Sequence, residues 1–143
     1  MQFRAVLAGC GAMSRGWLKA IAETPSVRDR ITIVGLNDLE RAAAERLATE
    51  FGLNGAAIGT ELAALLDETR PDLLFDVVVP VARHDVVAVG LGHGCHVLSE
   101  KPMAASLAEA GDLVARAAQA GKIHAVVQNR RYIPGVRRIR RLI

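Results

Sequence analysis

The stretch Phe3–Trp17, FRAVLAGCGAMSRGW, decides the fold class. Its first six residues are mostly apolar and have the length of a buried strand. Gly9 and Gly11 follow at once, and a helical pattern begins directly after them. A strand, a glycine-rich turn and a helix in this order are typical of the phosphate-binding loop of a dinucleotide-binding unit.

The glycine pattern of this loop departs from the usual one at its third position. Gly9 permits the tight turn, and Gly11 lets the backbone approach a pyrophosphate whose charge the helix N–H groups receive. Ser14 stands where glycine or alanine is expected, and its hydroxyl can bond a backbone group or a phosphate oxygen. A plain strand-to-helix turn is the alternative. The expected cofactor contacts in the loop are Gly9, Cys10, Gly11, Ala12, Met13 and Ser14.

Strand-like and helical segments alternate along the rest of the chain. Apolar residues at helical spacing, such as Met13, Trp17 and Ile21, separate the strand-like runs. Strands that are apolar throughout are buried on both faces, which predicts a doubly wound α/β fold: one parallel sheet of the Rossmann type with helices on both faces. The predicted strands are Phe3–Ala8, Ile31–Leu36, Leu73–Val79, His96–Leu98 and Ile123–Val127.

Three further helices are expected, and capping residues mark two of them. Thr60 is the expected cap of a helix over Glu61–Thr69, and another helix is expected over His84–Val89. Ser106 and Glu109 form the pattern of a capping box, and Gly121 is the matching helix stop.

Asp38 is the expected determinant of cofactor choice. It follows the second predicted strand, 24 positions after Ser14, close to the spacing of about 20 at which a carboxylate meets the adenosine ribose hydroxyls. A carboxylate there accepts from those hydroxyls and repels a 2′-phosphate, which favours NAD and leaves NADP possible. Two alternatives remain open: Asp38 caps the next helix, and Arg41 meets a phosphate.

The segment SEKPMA, Ser99–Ala104, follows a strand end, where this fold places its ligand crevice. Pro102 fixes its own backbone and restricts Lys101 to extended geometry, as needed to hold a lysine in the crevice. Lys101 as a solvated loop residue is the alternative.

Four other features have simpler explanations. The glycines of GLGHG, residues 90–94, end a helix and turn the chain. HGCH, residues 93–96, lacks a second ligand pair, and we expect no metal site. Cys10 is either a reactive thiol or, preferably, a small residue that fills space. Trp17 is expected in the core.

Composition limits the location and the partners. Two cysteines make no disulfide framework, and neither a leader nor an apolar run of about 20 residues is expected, which favours the cytoplasm and excludes a membrane partner. The net charge of +3 comes from six arginines near the end; the other 12 basic side chains face 15 acidic ones. We expect this tail to form a solvated helix face with Val136, Ile139 and Ile143 inward, and no nucleic-acid partner. The six are Arg130, Arg131, Arg137, Arg138, Arg140 and Arg141.

Three blocks of the chain resemble, in the correct order, the Gfo/Idh/MocA-type oxidoreductases, the family of glucose–fructose oxidoreductase and inositol dehydrogenase. The blocks are GCGAMS (9–14), VVVPVARHDVVAVGLGHGCHVLSEKPMA (77–104) and VVQNRRYIPGVRRIRRLI (126–143). The resemblance implies an NAD(P)-dependent dehydrogenase of a sugar, cyclitol or related polyol. Val81 is a departure, because a polar residue is common after this proline in the family.

The resemblance also implies roles for single residues. Lys101 matches the lysine that lies beside the nicotinamide and the substrate hydroxyl, and is the implied catalytic residue. Glu100 lines the cofactor site, and Pro102, also in that site, often follows a cis peptide bond. Pro80 belongs to a loop that borders the cofactor, and His84 in that segment is structural rather than catalytic.

The family implies a second, α+β domain that this chain does not contain. Residues 1–128 are the expected dinucleotide-binding domain, and 129–143 the start of the crossing into the missing domain, with Tyr132 and Pro134 matching that crossing. In the family this domain supplies most of the substrate pocket and the subunit interface, so a homo-oligomer is expected of a full-length form. A non-catalytic dinucleotide-binding or sensor module is the alternative function.

Overall fold

The computed structural model describes residues 2–143, and within them six strands form one sheet. The strands are β1 (Phe3–Ala8), β2 (Ile31–Asn37), β3 (Ala57–Gly59), β4 (Leu73–Asp76), β5 (His96–Ser99) and β6 (His124–Val126). The helices are α1 (Ala12–Glu23), α2 (Pro25–Arg28), α3 (Arg41–Glu50), α4 (Leu62–Thr69), α5 (Pro80–Gly92), α6 (Leu107–Ala120) and α7 (Pro134–Arg140), with a 3-10 turn at Asn129–Tyr132 before α7.

All strand pairs in the sheet are parallel, and the strand order is β3-β2-β1-β4-β5-β6. The chain first builds outward from β1 to β3, then returns to the other side of β1 and builds outward from β4 to β6. The order therefore reverses between β1 and β4, and a crevice opens at the carboxyl ends of these two strands. This arrangement confirms the predicted doubly wound α/β fold.

Alternate residues of β1 face two separate core layers. Ala5 and Leu7 pack in the layer that α1 and α3 cover, while Val6 and Ala8 pack in the layer of α4, α5 and α6. All four side chains are fully buried, as expected of a central strand covered on both faces. Helices lie on both faces of the sheet, as predicted.

The fourth strand is shorter than predicted because α5 begins earlier. β4 ends at Asp76, where the Asp76 carboxylate accepts a hydrogen bond from Val78 N at 3.2 Å and bends the chain. Pro80 then occupies the first turn of α5, a position where its missing N–H and fixed φ are tolerated. The helix therefore runs from Pro80 to Gly92 rather than from His84 to Val89. The short elements β3 and α2 were not predicted.

The predicted helix caps have mixed outcomes. Ser106 is the N-cap of α6 and accepts from Glu109 N at 3.2 Å, and Gly121 ends that helix with φ 62°, so both the cap and the stop are confirmed. The capping box is only half formed, because the Glu109 carboxylate accepts from Ala105 N rather than from Ser106 N. Thr60 as a cap is wrong, because α4 begins one residue later than predicted and Glu61 precedes it without a side-chain cap.

Two apolar sets are less buried than predicted. On α1 the buried residues are Ser14 and Leu18, while Met13 is exposed. Trp17 is half-buried and packs at the edge of the core, with its ring centroid 5.5 Å from that of Phe75. The apolar residues of α7 are also exposed, contrary to the prediction that Val136, Ile139 and Ile143 turn inward. The reason is that α7 packs mainly against the preceding 3-10 turn. Within residues 2–143 we find no helix with the length and apolar character to span a membrane.

Candidate functional site

Three loops at the carboxyl ends of β1, β4 and β5 enclose a crevice of about 400 Å³. They are the glycine loop (residues 9–14), the loop after β4 (77–79) and the lysine loop (100–102). The lining residues are Gly11, Ala12, Met13, Val77, Val78, Val79, Pro80, Arg83, Glu100, Lys101 and Pro102. The fold thus brings together most of the residues that the sequence predicts for the site.

The two glycines of the glycine loop meet different requirements. Gly9 has φ +91°, and a Cβ there would lie 2.8 Å from the carbonyl carbon and oxygen of Val77, so the neighbouring loop excludes any side chain. Gly11 is the N-cap residue of α1 with φ −78°, and a Cβ there would meet nothing within 4 Å. The space in front of Gly11 is open to a ligand at the start of a helix of 12 residues.

Ser14 fills the third position of the loop without pointing a polar group at the crevice. It lies in the first turn of α1 and is fully buried, and its hydroxyl donates a hydrogen bond to the carbonyl of Gly11. The hydroxyl therefore bonds a backbone group, which was one of the two options for it. A small residue at this position lets the helix pack closely on the sheet.

Asp38 links the end of β2 to the glycine loop. One carboxylate oxygen accepts from Cys10 N at 2.7 Å, and the other accepts from Glu40 N at 2.9 Å. The second bond turns the chain just before α3, but the N-cap residue of that helix is Glu40 and no side chain caps it, so the capping alternative is wrong. Each oxygen keeps a further lone pair, because a carboxylate offers about four acceptor sites. Arg41 is engaged elsewhere, with Glu45 at 2.9 Å and the carbonyl of Ile58 at 3.2 Å.

Cys10 is a space-filling residue in this structure. Its side chain is buried, and its Sγ lies 3.5 Å from the carbonyl of Asn37. Burial, with a smaller contribution from the nearby Asp38 charge, raises the pKa of the Cys10 thiol to about 12. A thiol with so high a pKa is a poor nucleophile at neutral pH, which argues against the reactive alternative.

The lysine loop presents Lys101 at the mouth of the crevice. Its backbone N–H donates to Glu100 Oε2 at 3.2 Å, and its Nζ lies 3.8 Å from the same oxygen. The indole of Trp17 donates to Glu100 Oε1 at 3.0 Å, so α1 fixes this carboxylate. The Lys101–Pro102 peptide bond is cis, as the resemblance led us to expect. The Lys101 side chain itself is exposed.

A buried polar network beneath this loop was missed from the sequence. Asp76 and Arg83 are both buried, with Arg83 Nε 2.7 Å from Asp76 Oδ2. Ser99 pairs with Asp76 on the neighbouring strand, and the Ser99 Oγ lies 3.0 Å from Nε2 of His124. Burial raises the pKa of Asp76, while Arg83, Ser99 and the Val78 N–H act in the opposite direction. The signal was available, because a charge inside the apolar run LLFDVVV requires a buried partner.

His84 joins two helices rather than reaching the crevice. Its Nε2 lies 2.7 Å from Asp112 Oδ2 on α6, and its Nδ1 lies 3.1 Å from Asp85 Oδ1. These hydrogen bonds to Asp85 and Asp112 raise the pKa of His84. The arrangement agrees with the structural role that we expected.

The HGCH segment does not form a metal site among the described residues. His93 Nδ1 lies 2.8 Å from the carbonyl of Val89, and His96 accepts from Ile123 N at 3.1 Å. Burial raises the pKa of the Cys95 thiol to about 11. No group of three potential metal ligands occurs between residues 2 and 143.

The sequence matches the profile of the GFO_IDH_MocA family, an oxidoreductase family with an NAD-binding Rossmann fold, over residues 3–128. The chain belongs to this family. Membership of the Gfo/Idh/MocA oxidoreductases confirms the predicted family and its NAD-type cofactor.

Individual Gfo/Idh/MocA relatives are similar at moderate identity. A D-xylose dehydrogenase from Paenarthrobacter nicotinovorans is 32% identical over 84 residues, or 59% of this chain and 22% of that protein. A D-apiose dehydrogenase from Paraburkholderia graminis is 26% identical over 142 residues, or 99% of this chain and 36% of that protein. The chain thus spans a minor part of the curated relatives it matches.

A solved Gfo/Idh/MocA structure matches nearly the whole chain. The WlbA dehydrogenase from Bordetella pertussis, solved in complex with NADH and UDP-GlcNAcA, superimposes with a TM-score of 0.89 at 25% identity. The match covers 99% of this chain and 41% of that one.

Proposed function

We propose that these 143 residues are the cofactor-binding part of an NAD(P)-dependent dehydrogenase that acts on a sugar, cyclitol or related polyol. The observation that carries the proposal is the crevice itself: an open helix N-terminus at Gly11 faces the Lys101 loop across the switch point of the sheet. Residues 1–128 form the dinucleotide-binding domain, and 129–143 begin the crossing into a substrate domain that lies outside this chain.

The glycine loop binds the pyrophosphate in this proposal. The open space at Gly11 and the free N–H groups of the first turn of α1 suit two phosphate groups. Gly9, Cys10, Ala12, Met13 and Ser14 shape this cradle. Gly9 N already donates to the carbonyl of Asn37 at 2.8 Å, and Cys10 N donates to Asp38.

Asp38 selects NAD over NADP in this proposal. Its carboxylate is half-buried at the end of β2 and keeps acceptor capacity for the adenosine ribose hydroxyls. The same charge repels a 2′-phosphate. Arg41 already contacts Glu45 and the carbonyl of Ile58 through two of its nitrogens, so binding a 2′-phosphate there would compete with these contacts.

Lys101 is the proposed catalytic residue. When bound, the nicotinamide supplies the hydride acceptor or donor, and the protein supplies binding and orientation. Oxidation of a secondary alcohol also releases a proton. Lys101 either accepts this proton as a neutral amine or, as an ammonium, binds and orients the alcohol oxygen. Glu100, Pro102 and Pro80 border the cofactor and hold this part of the crevice in shape.

The direct test is a thermal-shift measurement with NAD and NADP separately. Ligand at 100 times its dissociation constant adds about 2.7 kcal/mol of stability to the folded chain. We expect a clear shift with NAD and a smaller one with NADP at equal concentration. Equal shifts with NAD and NADP would contradict only the proposed role of Asp38, whereas no shift with either ligand would overturn the whole proposal.

A further inference from the structure

Arg83 makes three contacts from a fully buried position at the start of α5. Its Nε donates to Asp76 Oδ2 at 2.7 Å, one terminal nitrogen to the carbonyl of Val78 at 2.7 Å, and the other to the carbonyl of Pro102 at 2.5 Å. The side chain is 1% exposed. Arginine is suited to such a site because its planar fork directs several donors at once.

The three acceptors of Arg83 belong to separate parts of the crevice wall. Asp76 is the last residue of β4, Val78 lies in the loop after β4, and Pro102 lies in the lysine loop after β5. The guanidinium therefore ties the lysine loop to the neighbouring strand end through its backbone. The only side chain among the acceptors is Asp76.

Lys101 lies between two residues that are each held from a different helix. Glu100 before it is held by Trp17 of α1, and Pro102 after it is held by Arg83 of α5. The Lys101 side chain is itself largely exposed, so its location depends on these two flanking attachments. The buried ion pair of Arg83 and Asp76 does not by itself indicate a role in stability, because apolar replacements of similar volume for such pairs are often neutral or stabilising.

We propose that Arg83 is a positioning residue for Lys101: it fixes the lysine loop through the carbonyl of Pro102 and thereby sets where the amine meets the cofactor. The cofactor part of this inference rests on the proposed function. The loop-fixing part concerns the chain without any ligand.

The experiment uses variants that separate loop position from stability. Arg83→Met alone leaves Asp76 buried and unpaired, so it is combined with Asp76→Asn, which keeps an acceptor for Val78 N. Arg83→Lys is a second test variant, because a lysine keeps the charge beside Asp76 but cannot hold two carbonyls. Thermal melts identify the variants that keep wild-type stability.

Two NMR readouts follow the lysine loop in the 143-residue chain. The backbone 15N order parameter of Lys101 is expected near 0.85 in the wild type and below about 0.6 in the double variant and in Arg83→Lys. With 13C-lysine, the Cε signal of Lys101 is expected to move when NAD is added, and the movement should fall by at least half in both variants. Lys19 and Lys122 complete the lysines of the sequence and serve as internal references.

The outcomes separate this inference from the proposed function. A folded double variant with the wild-type order parameter at Lys101 would overturn the inference, as would a wild-type loop that is already mobile. Absence of NAD binding by thermal shift would overturn the proposed function, yet the order parameters would still decide whether Arg83 fixes the loop. Loss of order at Lys101 with unchanged melting temperature supports the inference.

Discussion

The glycine loop and the lysine loop face each other across the same crevice but are held in different ways. The glycine loop is shaped by its own backbone: Gly9 adopts φ +91° against Val77, and Gly11 opens α1. The lysine loop is held by side chains from elsewhere, since Trp17 fixes Glu100 and Arg83 fixes Pro102. One loop carries its constraint in its own sequence, and the other depends on residues far along the chain.

This difference between the loops corresponds to a difference between cofactor binding and the chemical step. A loop that offers backbone N–H groups needs little more than the absence of side chains, and it suits any dinucleotide. A loop that presents an amine must place one atom accurately, because small displacements of a reacting group lower the rate strongly. Changes in the two loops should therefore have separable effects on binding, turnover and stability.

The largest expected effect comes from Lys101→Ala. In a longer form of the protein that carries a substrate-binding part, turnover should fall by about 10²–10⁴-fold, the usual contribution of a positioned acid or base. NAD affinity and melting temperature should remain close to wild type, because the side chain is exposed and its one ion pair, with Glu100, is long. Steady-state kinetics test the expected loss of turnover, and a thermal shift with NAD tests the unchanged affinity and stability. Unchanged turnover would remove Lys101 from the mechanism and favour the non-catalytic module.

Gly9→Ala tests the opposite loop. The backbone conformation alone should lower the free energy of unfolding by about 1–3 kcal/mol, and the contact with Val77 adds to this. Gly11→Ala is the matched control, since its Cβ meets no atom within 4 Å: the fold should be unaffected while NAD binding weakens. Denaturant unfolding and NAD titration measure the two effects. Equal losses of stability in both variants would show that the two glycines do not differ in this way.

Asp38→Ala should give a smaller effect on both stability and cofactor choice. The carboxylate accepts from the backbone N–H groups of Cys10 and Glu40, and losing both bonds at a half-buried site should lower the free energy of unfolding by about 1–2 kcal/mol. Asp38→Asn keeps an acceptor but removes the charge, so it should bind NADP better than the wild type does. An Asp38→Asn variant that discriminates against NADP as strongly as the wild type would refute the electrostatic explanation.

The smallest expected effect is a pH dependence outside both loops. Hydrogen bonds to Asp85 and Asp112 raise the pKa of His84, so its contribution to stability is complete below about pH 6.5 and is lost as the pH rises through the raised folded value. Hydrogen bonds from Arg116 and then His84 lower the pKa of Asp112, so its contribution is lost as the pH falls through that lowered value.

The matching variant is His84→Asn. The difference in melting temperature between wild type and variant should be largest between about pH 4 and pH 6.5 and should shrink at pH 8. NAD binding should be unaffected at every pH, because His84 joins α5 to α6 away from the crevice. A difference that grows with pH would contradict the assignment.

Local sequence predicted the fold and the glycine loop because their signals lie within a few residues. Buried parallel strands are apolar throughout, and the Gly9–Ser14 pattern sits between a strand and a helix. The short strand β3 was missed, because three half-buried residues carry no period that distinguishes a strand from a loop. The end of β4 was misplaced, because Val77–Val79 are apolar although they leave the sheet.

The residues that hold the lysine loop could not be predicted from the sequence around that loop, for a different reason. Lys101 and Pro102 are visible as a pair, but Trp17 lies 83 residues before Glu100, and Arg83 lies 19 before Pro102. Only the fold brings such residues together. Asp76 was the single local hint, since a carboxylate inside an apolar run requires buried donors, which Val78 N and Arg83 supply.

Gly90 lies near the other end of α5 and sets how closely that helix approaches the sheet. A Cβ at this position would come within 2.4 Å of Leu74 Cδ2, so any side chain at residue 90 would require Leu74 or α5 to move. Gly90 is about 15 Å along the helix axis from Pro80. Because Pro80 and Arg83 at the start of α5 line the crevice, a displacement of this helix by a side chain at residue 90 would reach the crevice as well.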